Sequence, residues 1–310
     1  MGIVVIGTAF VDIKGFPEDA YIPTGRNVGR VEYIHGGVAR NVVEDIANVE
    51  LRPTYIGIVD DSPMGQDVLD KLKKHKVNCD YVLTRPDGLG LWLAVFDSNG
   101  DVAGSISKRP NAYPMVALLE EKGDEIFASA DSVVLQVDLH KDIVKKVFEL
   151  AEKYNTKLYA LVSNMSIAAE RRDFLQKFDC FICNQQEAGL LFLDDYEDKT
   201  PEQMRDILAD RVVRANIPAM VVTMGGAGSV YADRFGNKGI CLARPVQVKD
   251  TTGAGDAFCA GVSIGLTYGK TLAQSVEIGT YLAASVITSS ENVCPRFLPE
   301  ELGLNVCVKD

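Results

Sequence analysis

Histidine occurs only three times in the 310 residues and tryptophan once; His35, His75 and His140 stand far apart, without the spacing of a metal site. The seven cysteines are an odd number scattered from Cys79 to Cys307, which suits reduced thiols in a cytoplasmic protein better than a disulfide framework. The one Cys-x-x-Cys, Cys180 to Cys183, lies in an apolar strand-like run where residues three apart point to opposite faces, and no second pair completes a zinc site. No uncharged apolar run reaches the roughly 18 residues of a membrane span. The apolar opening Met1 to Gly7 carries no basic stretch and meets Asp12 soon after, so it reads as a buried strand and not as a signal peptide. Positive charge is in deficit: 32 Lys and Arg against 43 Asp and Glu give a net −11, which excludes a general attraction to nucleic acid or to an anionic membrane. An anionic ligand therefore needs a local site. No Gly-x-Gly-x-x-Gly follows Gly7, which argues against a dinucleotide oxidoreductase, and neither a Walker lysine motif nor a protein-kinase catalytic loop is present. There is no internal repeat, low-complexity tract or linker.

With 47% hydrophobic and 24% charged residues the chain can bury a large core. Apolar β-rich runs near 3–7, 54–59, 133–137, 157–162, 179–183 and 219–223 alternate with helical-period segments at 38–50, 64–75, 140–153, 167–176, 185–193 and 201–214. That pattern predicts an α/β fold with a mainly parallel sheet covered by helices. Two stretches break it: 13–35, rich in Pro and Gly, and 88–112, where Leu89, Leu91, Leu93 and Val95 alternate around Trp92. Both read as extra strands that pair as a small lid over the ligand edge of the sheet, or as a decorative hairpin or dimer contact. The last third, 253–268 and 271–288, is helical and rich in small residues.

The segment Asp250-Thr251-Thr252-Gly253-Ala254-Gly255-Asp256 is a glycine-rich turn that opens a helix, with backbone N–H groups unpaired at the positive end of the dipole. Asp256 reads there either as an acid that the dipole stabilises or as a general base beside a phosphoryl group held by the Gly253, Ala254 and Gly255 amides. Asn184 and Glu187, three apart after a strand, either share a hydrated Mg²⁺ or form a helix cap with its acidic partner. Gly225, Gly226 and Gly228 either let the backbone approach phosphate or make a hairpin to Val230 and Tyr231.

At these residues the chain resembles the ribokinase-like, or PfkB, carbohydrate kinases. Asp250 through Ser263 meets the family's C-terminal signature; Gly36-Gly37-Val38-Ala39-Arg40-Asn41 is similar to its N-terminal Gly-Gly turn, Asn184-Gln185-Gln186-Glu187 to its Asn-x-x-Glu element, and Thr223 to Gly228 to its nucleotide-phosphate loop. The four motifs stand in the family's order along nearly the whole chain. The resemblance implies a single ribokinase-like three-layer α/β/α domain over 1–310, with a lid that excludes water, and transfer of the ATP γ-phosphoryl to a hydroxyl of a sugar or nucleoside, with Asp256 as base. It implies substrate contacts at Asp12, Gly36, Gly37, Asn41, Asn111 and Asp138, with Asn41 supplying both a donor and an acceptor. Nucleotide contacts fall on Asn184, Thr223, Gly225, Gly226, Gly228 and Thr252, with adenine near Ala284 and Ile287. Mg²⁺ lies near Asn184 and Glu187, and K⁺ at Asp250 and Thr252. A homodimer through the lid is expected from its exposed strand edges.

Gly-Gly-Val-x-Arg-Asn is similar to the pseudouridine kinases of that family, whereas ribokinases usually carry Lys at the place of Val38 and Ala at that of Arg40. This favours a nucleoside over free ribose or fructose, with Arg40 either at the substrate or facing solvent, and Trp92 either a plate for a base or lid core. The step Ser163-Asn164-Met165 departs from the Asp-Pro of relatives. A catalytically silent sugar-binding or regulatory protein on the same fold is the remaining alternative.

Overall fold

Alternation within single strands divides the interior into two cores. The computed structural model describes residues 2–164 and 172–305. In strand β1 (Ile3–Ile6), Ile3 and Val5 join one buried cluster with Tyr55 and Val134, while Val4 and Ile6 join the other with Ile56 and Val133. Such strands, apolar on both faces, require cover on both sides. The first face is covered by α1 (Val38–Asn48), α2 (Pro63–Lys74), α7 (Ala254–Thr267) and α8 (Leu272–Ile287), through residues such as Val42, Ile46, Leu72, Phe258 and Leu282. The second is covered by α3 (Met115–Ser129), α4 (Lys141–Tyr154), α5 (Gln185–Phe192) and α6 (Pro201–Arg214), through Leu119, Val147, Leu191 and Leu208 among others.

The main sheet contains β1, β4 (Thr54–Val59), β5 (Asn78–Thr84), β8 (Ser132–Gln136), β9 (Lys157–Leu161), β10 (Cys180–Asn184), β11 (Ala219–Thr223), β12 (Ser229–Asp233) and β13 (Lys238–Cys241). Their order is β13-β12-β11-β10-β9-β8-β1-β4-β5, parallel except at β12 and β13. The chain builds outward from β1 to β4 and β5 on one side and from β8 onward on the other. The order therefore reverses between β1 and β8, and the carboxyl ends of these two strands border the crevice where open sheets take ligands.

A second sheet, β2 (Phe10–Pro17), β3 (Gly29–Gly36), β6 (Gly90–Phe96) and β7 (Val102–Lys108), has the order β3-β2-β6-β7. The two insertions thus pair with each other, through parallel β2 and β6, with Asp12 opposite Trp92. Period two sends Phe10, Asp12, Lys14 and Trp92 to one face and Val31, Tyr33, Leu93 and Ile106 to the other.

The structure departs from the expected elements in several places. The lid begins at Phe10 and not at 13, so Asp12 is a strand residue. Strand β5 and helix α3 were not anticipated: β5 is a half-exposed edge strand with little contrast between its faces, and Gly123, pressed against Leu150, interrupts the apolar stripe of α3. Residues 172–177 form a 3₁₀ turn, and the rest of the helix expected at 167–176 falls largely in 165–171, outside the described residues, as do Met165 and Cys307. Cys180 and Cys183 lie in opposite cores. No described helix is long and apolar enough to cross a membrane.

Candidate active site

A cleft of about 560 Å³ opens between the lid and the carboxyl ends of β1 and β8. Asp12, Gly36, Gly37, Asn41, Asn111, Asp138, Thr252, Gly253 and Asp256 all line it, although they come from distant parts of the chain.

Its floor is the start of α7. Gly253 caps this helix with φ 82°, a left-handed conformation that glycine adopts without strain, and a Cβ there would stand 2.0 Å from the carbonyl oxygen of Asn292. The Ala254 N–H donates to the Thr251 carbonyl at 3.2 Å and the Thr252 N–H to Asp250 Oδ1 at 2.8 Å, which folds the turn. Ala254 is thereby removed from the expected set of anion donors. The N–H groups of Gly253, Gly255 and Asp256 have no partner among the described residues, and a Cβ on Gly255 would meet nothing within 4 Å. A helix start with open N–H groups suits an anion.

Asp256 is walled in by protein but keeps access to the cleft. Burial pushes its carboxyl up to about 7, against the hydrogen bond from Asn41 and the Arg40 charge; Glu187 and Asp12 add to the rise. A carboxylate poised near neutrality suits a general base. Asn41 Nδ2 donates to Asp256 Oδ2 at 2.7 Å. Asn41 Oδ1 accepts from Arg40, so Asn41 presents a substrate with a donor only, not the donor and acceptor expected.

Arg40 neither faces solvent nor lines the cleft: it is fully buried. Gly37, at φ 91°, turns β3 into α1, and a Cβ there would press on Thr8 and Phe10 backbone. Gly36 leaves room for the Asp12 carboxylate, which a Cβ would approach to 2.7 Å. Burial raises the Asp12 carboxyl above its usual range, with Lys14 and Arg40 opposing. Trp92 stands beside Asp12 in the cleft, its edge on Phe96 at 6.5 Å between centroids. Tyr113 lies edge-on to His140 at 4.9 Å on the body side.

Asp138 accepts from the Ser163 N–H at 3.1 Å and from Gln136 Nε2 at 3.3 Å, and burial raises its carboxyl. Asn111 Oδ1 accepts from the Tyr113 N–H at 3.2 Å. Thr8, Arg109, Tyr113, Gln136, His140 and Asn292 also line the cleft, and none of them was anticipated as a site residue. Gln136 ends β8 and Thr8 follows two residues after β1, both at the switch point, a signal visible once those strands are placed. Asn292 sits in an irregular loop that carries no pattern.

The remaining residues lie outside the cleft lining. Asn184 and Glu187 form a capping box on α5, with Glu187 N–H to Asn184 Oδ1 and Asn184 N–H to Glu187 Oε2, both 2.8 Å. This satisfies the capping alternative and uses one carboxylate oxygen. Burial and then the Asp138 charge hold the Glu187 carboxyl above its usual range. The Asp138 charge beside the buried Glu187 carboxyl leaves a demand for positive charge that a hydrated Mg²⁺ fits. No three His, Cys, Asp or Glu side chains converge as a metal cage among the described residues. Thr223 and Gly225 to Gly228 turn β11 into antiparallel β12, which is the hairpin alternative, yet Gly225 and Gly226 have open space where a Cβ would stand. Asp250 is exposed, and the Thr252 N–H holds its carboxyl below the usual range. Ala284 is buried within α8, and Ile287, half-buried at its end, accepts from the Lys249 N–H at 2.8 Å.

Residues 2–294 match the profile of the pfkB family carbohydrate kinases. The chain is 34% identical over 292 residues to a guanosine-inosine kinase of Exiguobacterium acetylicum, covering 94% of this chain and 95% of the relative. It is 23% identical over 279 residues to a pseudouridine kinase of Escherichia coli, covering 89% and 87%. A structure of Arabidopsis thaliana ribokinase complexed with ribose and ATP superposes with a TM-score of 0.82 at 20% identity, covering 97% of each chain, which shows the ribokinase-like fold. The match along almost the full length, with the Gly36–Asn41 turn and the Asp250–Asp256 turn meeting in the cleft, places the chain in the pfkB family: it is a carbohydrate or nucleoside kinase.

Proposed function

We propose that this kinase transfers the γ-phosphoryl group of ATP to the primary 5′-hydroxyl of a nucleoside, with guanosine and inosine ahead of pseudouridine. The observation that carries this reading is the Asp12 and Trp92 rung of the lid, which sets a carboxylate for a vicinal diol beside an aromatic plate in the cleft that ends at Asp256. A free pentose would use only the polar half. The 34% identity to a guanosine-inosine kinase against 23% to a pseudouridine kinase supports the order of acceptors.

In this reading Asp12 accepts from the ribose hydroxyls, and Asn41 donates its second Nδ2 hydrogen to the sugar, so that the 5′-hydroxyl faces Asp256. As that oxygen bonds to the γ-phosphorus, its proton passes to Asp256 and the bond to the departing ADP oxygen breaks. The Gly253, Gly255 and Asp256 N–H groups meet the charge on the transferring group. Glu187 and Asn184 would hold a Mg²⁺ ion, which would supply further neutralisation of the phosphates. The turn from Thr223 to Gly228 would run along the ATP phosphates, with adenine toward Ile287, and Asp250 with Thr252 would hold K⁺. The exposed outer lid residues Val31, Tyr33, Leu93 and Ile106 suit a homodimer through the lid. The six described cysteines are free thiols, in keeping with a cytoplasmic enzyme.

The test is ADP release from Mg-ATP with guanosine, inosine, pseudouridine, ribose and fructose, with K⁺ present. Selective turnover of a nucleoside is expected. Preference for a free sugar would overturn the acceptor, and ATP binding without turnover of any acceptor would favour a silent binding protein.

A further inference from the structure

Behind the cleft lies a buried ion pair that no step of the transfer uses. Arg40 and Glu44, one turn apart on α1, are both fully buried. A buried guanidinium is tolerated only where its donors find acceptors. Arg40 Nη1 donates to Glu44, and Nη2 donates to Asn41 Oδ1 and to the His35 carbonyl. Its Nε reaches the Gly36 carbonyl at 3.4 Å, and Asn292 Oδ1 lies 3.4 Å from Nη2. The far oxygen of Glu44 faces Lys71 Nζ at 3.2 Å and His75 Nε2 at 3.9 Å, so α2 anchors the pair in turn.

The consequence falls on Asn41. Its carboxamide can turn over about its last torsion, exchanging oxygen and nitrogen. Arg40 only donates, so the atom facing it must be Oδ1, which leaves Nδ2 directed at Asp256. Asn292 Nδ2, held by the His35 carbonyl at 2.7 Å, lies 3.5 Å from the same Oδ1 and favours the same orientation. With Arg40 absent, the turned-over carboxamide would set an oxygen against the Asp256 carboxylate.

We infer that Arg40, clamped by Glu44, is a positioning residue for phosphoryl transfer: it locks the Asn41 carboxamide so that Asn41 holds the Asp256 carboxylate in line with the acceptor hydroxyl. The inference rests on Asp256 being the base, as proposed above. The charged groups around Asp256 are Asp12 from the lid, Glu187 from α5, and Asp45 and Arg40 from α1; Cys259 lies one turn on along α7. Arg40 is the one cation among these, so its removal also favours the protonated base.

The experiment compares the wild type with the charge-pair variant Arg40→Met/Glu44→Gln, which leaves no unpaired buried ion, and with Arg40→Lys, which keeps a cation opposite Glu44 but lacks the fork that reaches Asn41 as well. Folding is checked by cooperative thermal unfolding, and kcat, KM and their pH dependence are measured with guanosine and ATP. A KM within about 3-fold and a kcat lower by about 10- to 100-fold at pH 7 are expected. The acid limb should move upward, so that the deficit narrows at high pH. In an Asn41→Ala background the same changes should lower kcat little further, because Arg40 acts through Asn41. If the pair variant does not fold, Arg40→Lys carries the same comparison. A folded variant with wild-type kcat and pH profile overturns the inference, as do losses that multiply fully with Asn41→Ala. Asp256→Asn separates the two claims: if it stays active the base reading itself fails, whereas if it is inactive while the Arg40 variants are unimpaired, only the positioning role falls.

Discussion

Asp256 concentrates the physics of the site in one carboxyl. Burial carries it to about 7 from 3.8, so the folded protein holds its proton over a range in which the unfolded chain has lost it. The sign follows: ionising Asp256 opposes folding, and stability falls as pH rises from about 4 through 7. Asp256→Asn removes that cost while keeping an oxygen for Asn41 Nδ2, so it should stabilise the protein by ~4 kcal/mol at pH 8 and by only about 1.5 kcal/mol at pH 5. Urea unfolding at the two pH values checks this, and equal effects at both would contradict the buried-acid account. The same ionisation should appear in activity, with kcat/KM for the acceptor rising through about pH 7 to a plateau as the free enzyme's base loses its proton. Asp256 was legible as a candidate from its place in the glycine-rich turn; its coupling to Asn41 and Arg40 was not. Residues 40, 41 and 256 meet only after α1 packs against α7, and no local pattern encodes that contact.

At the scale of the element, the start of α7 and the lid rung carry separate parts of the account. Gly253 is left-handed, and any side chain there would strike the Asn292 carbonyl. Gly253→Ala should therefore cost about 1–3 kcal/mol of stability and lower kcat, because Asn292 also borders Arg40 and Asn41. Thermal unfolding and turnover measured together check both. Trp92→Ala should raise KM for guanosine by about 10-fold, the worth of one stacking contact, with a smaller change in kcat; an unchanged KM would remove the plate. The helices and strands of the main sheet were largely legible because their apolar residues recur with clear periods, whereas β5 and α3 were hidden by an even burial pattern and by Gly123. The Asn184 and Glu187 capping box shows the limit of motifs: the same two residues satisfy a helix end in full, using one Glu187 oxygen, while the Asp138 charge still raises the Glu187 carboxyl.

At the scale of the whole molecule, two insertions separated by more than fifty residues join edge to edge and close one side of the crevice where the sheet order reverses. The sequence showed that both stretches were foreign to the α/β alternation, but not which strand would pair with which, nor that the pairing sets Asp12 opposite Trp92. The outer face keeps Val31, Tyr33, Leu93 and Ile106 exposed. Light scattering should give a dimer, and Leu93→Glu with Ile106→Glu should convert it to monomer; a wild-type monomer would contradict lid pairing. The most direct test of the central claim is the product formed from guanosine and Mg-ATP, read by mass and ³¹P NMR for the wild type and for Asp256→Asn. The account predicts guanosine 5′-monophosphate from the wild type and a rate lower by about 10²–10⁴ in the variant, with guanosine still bound. A product phosphorylated elsewhere, or equal rates from the two proteins, would contradict it.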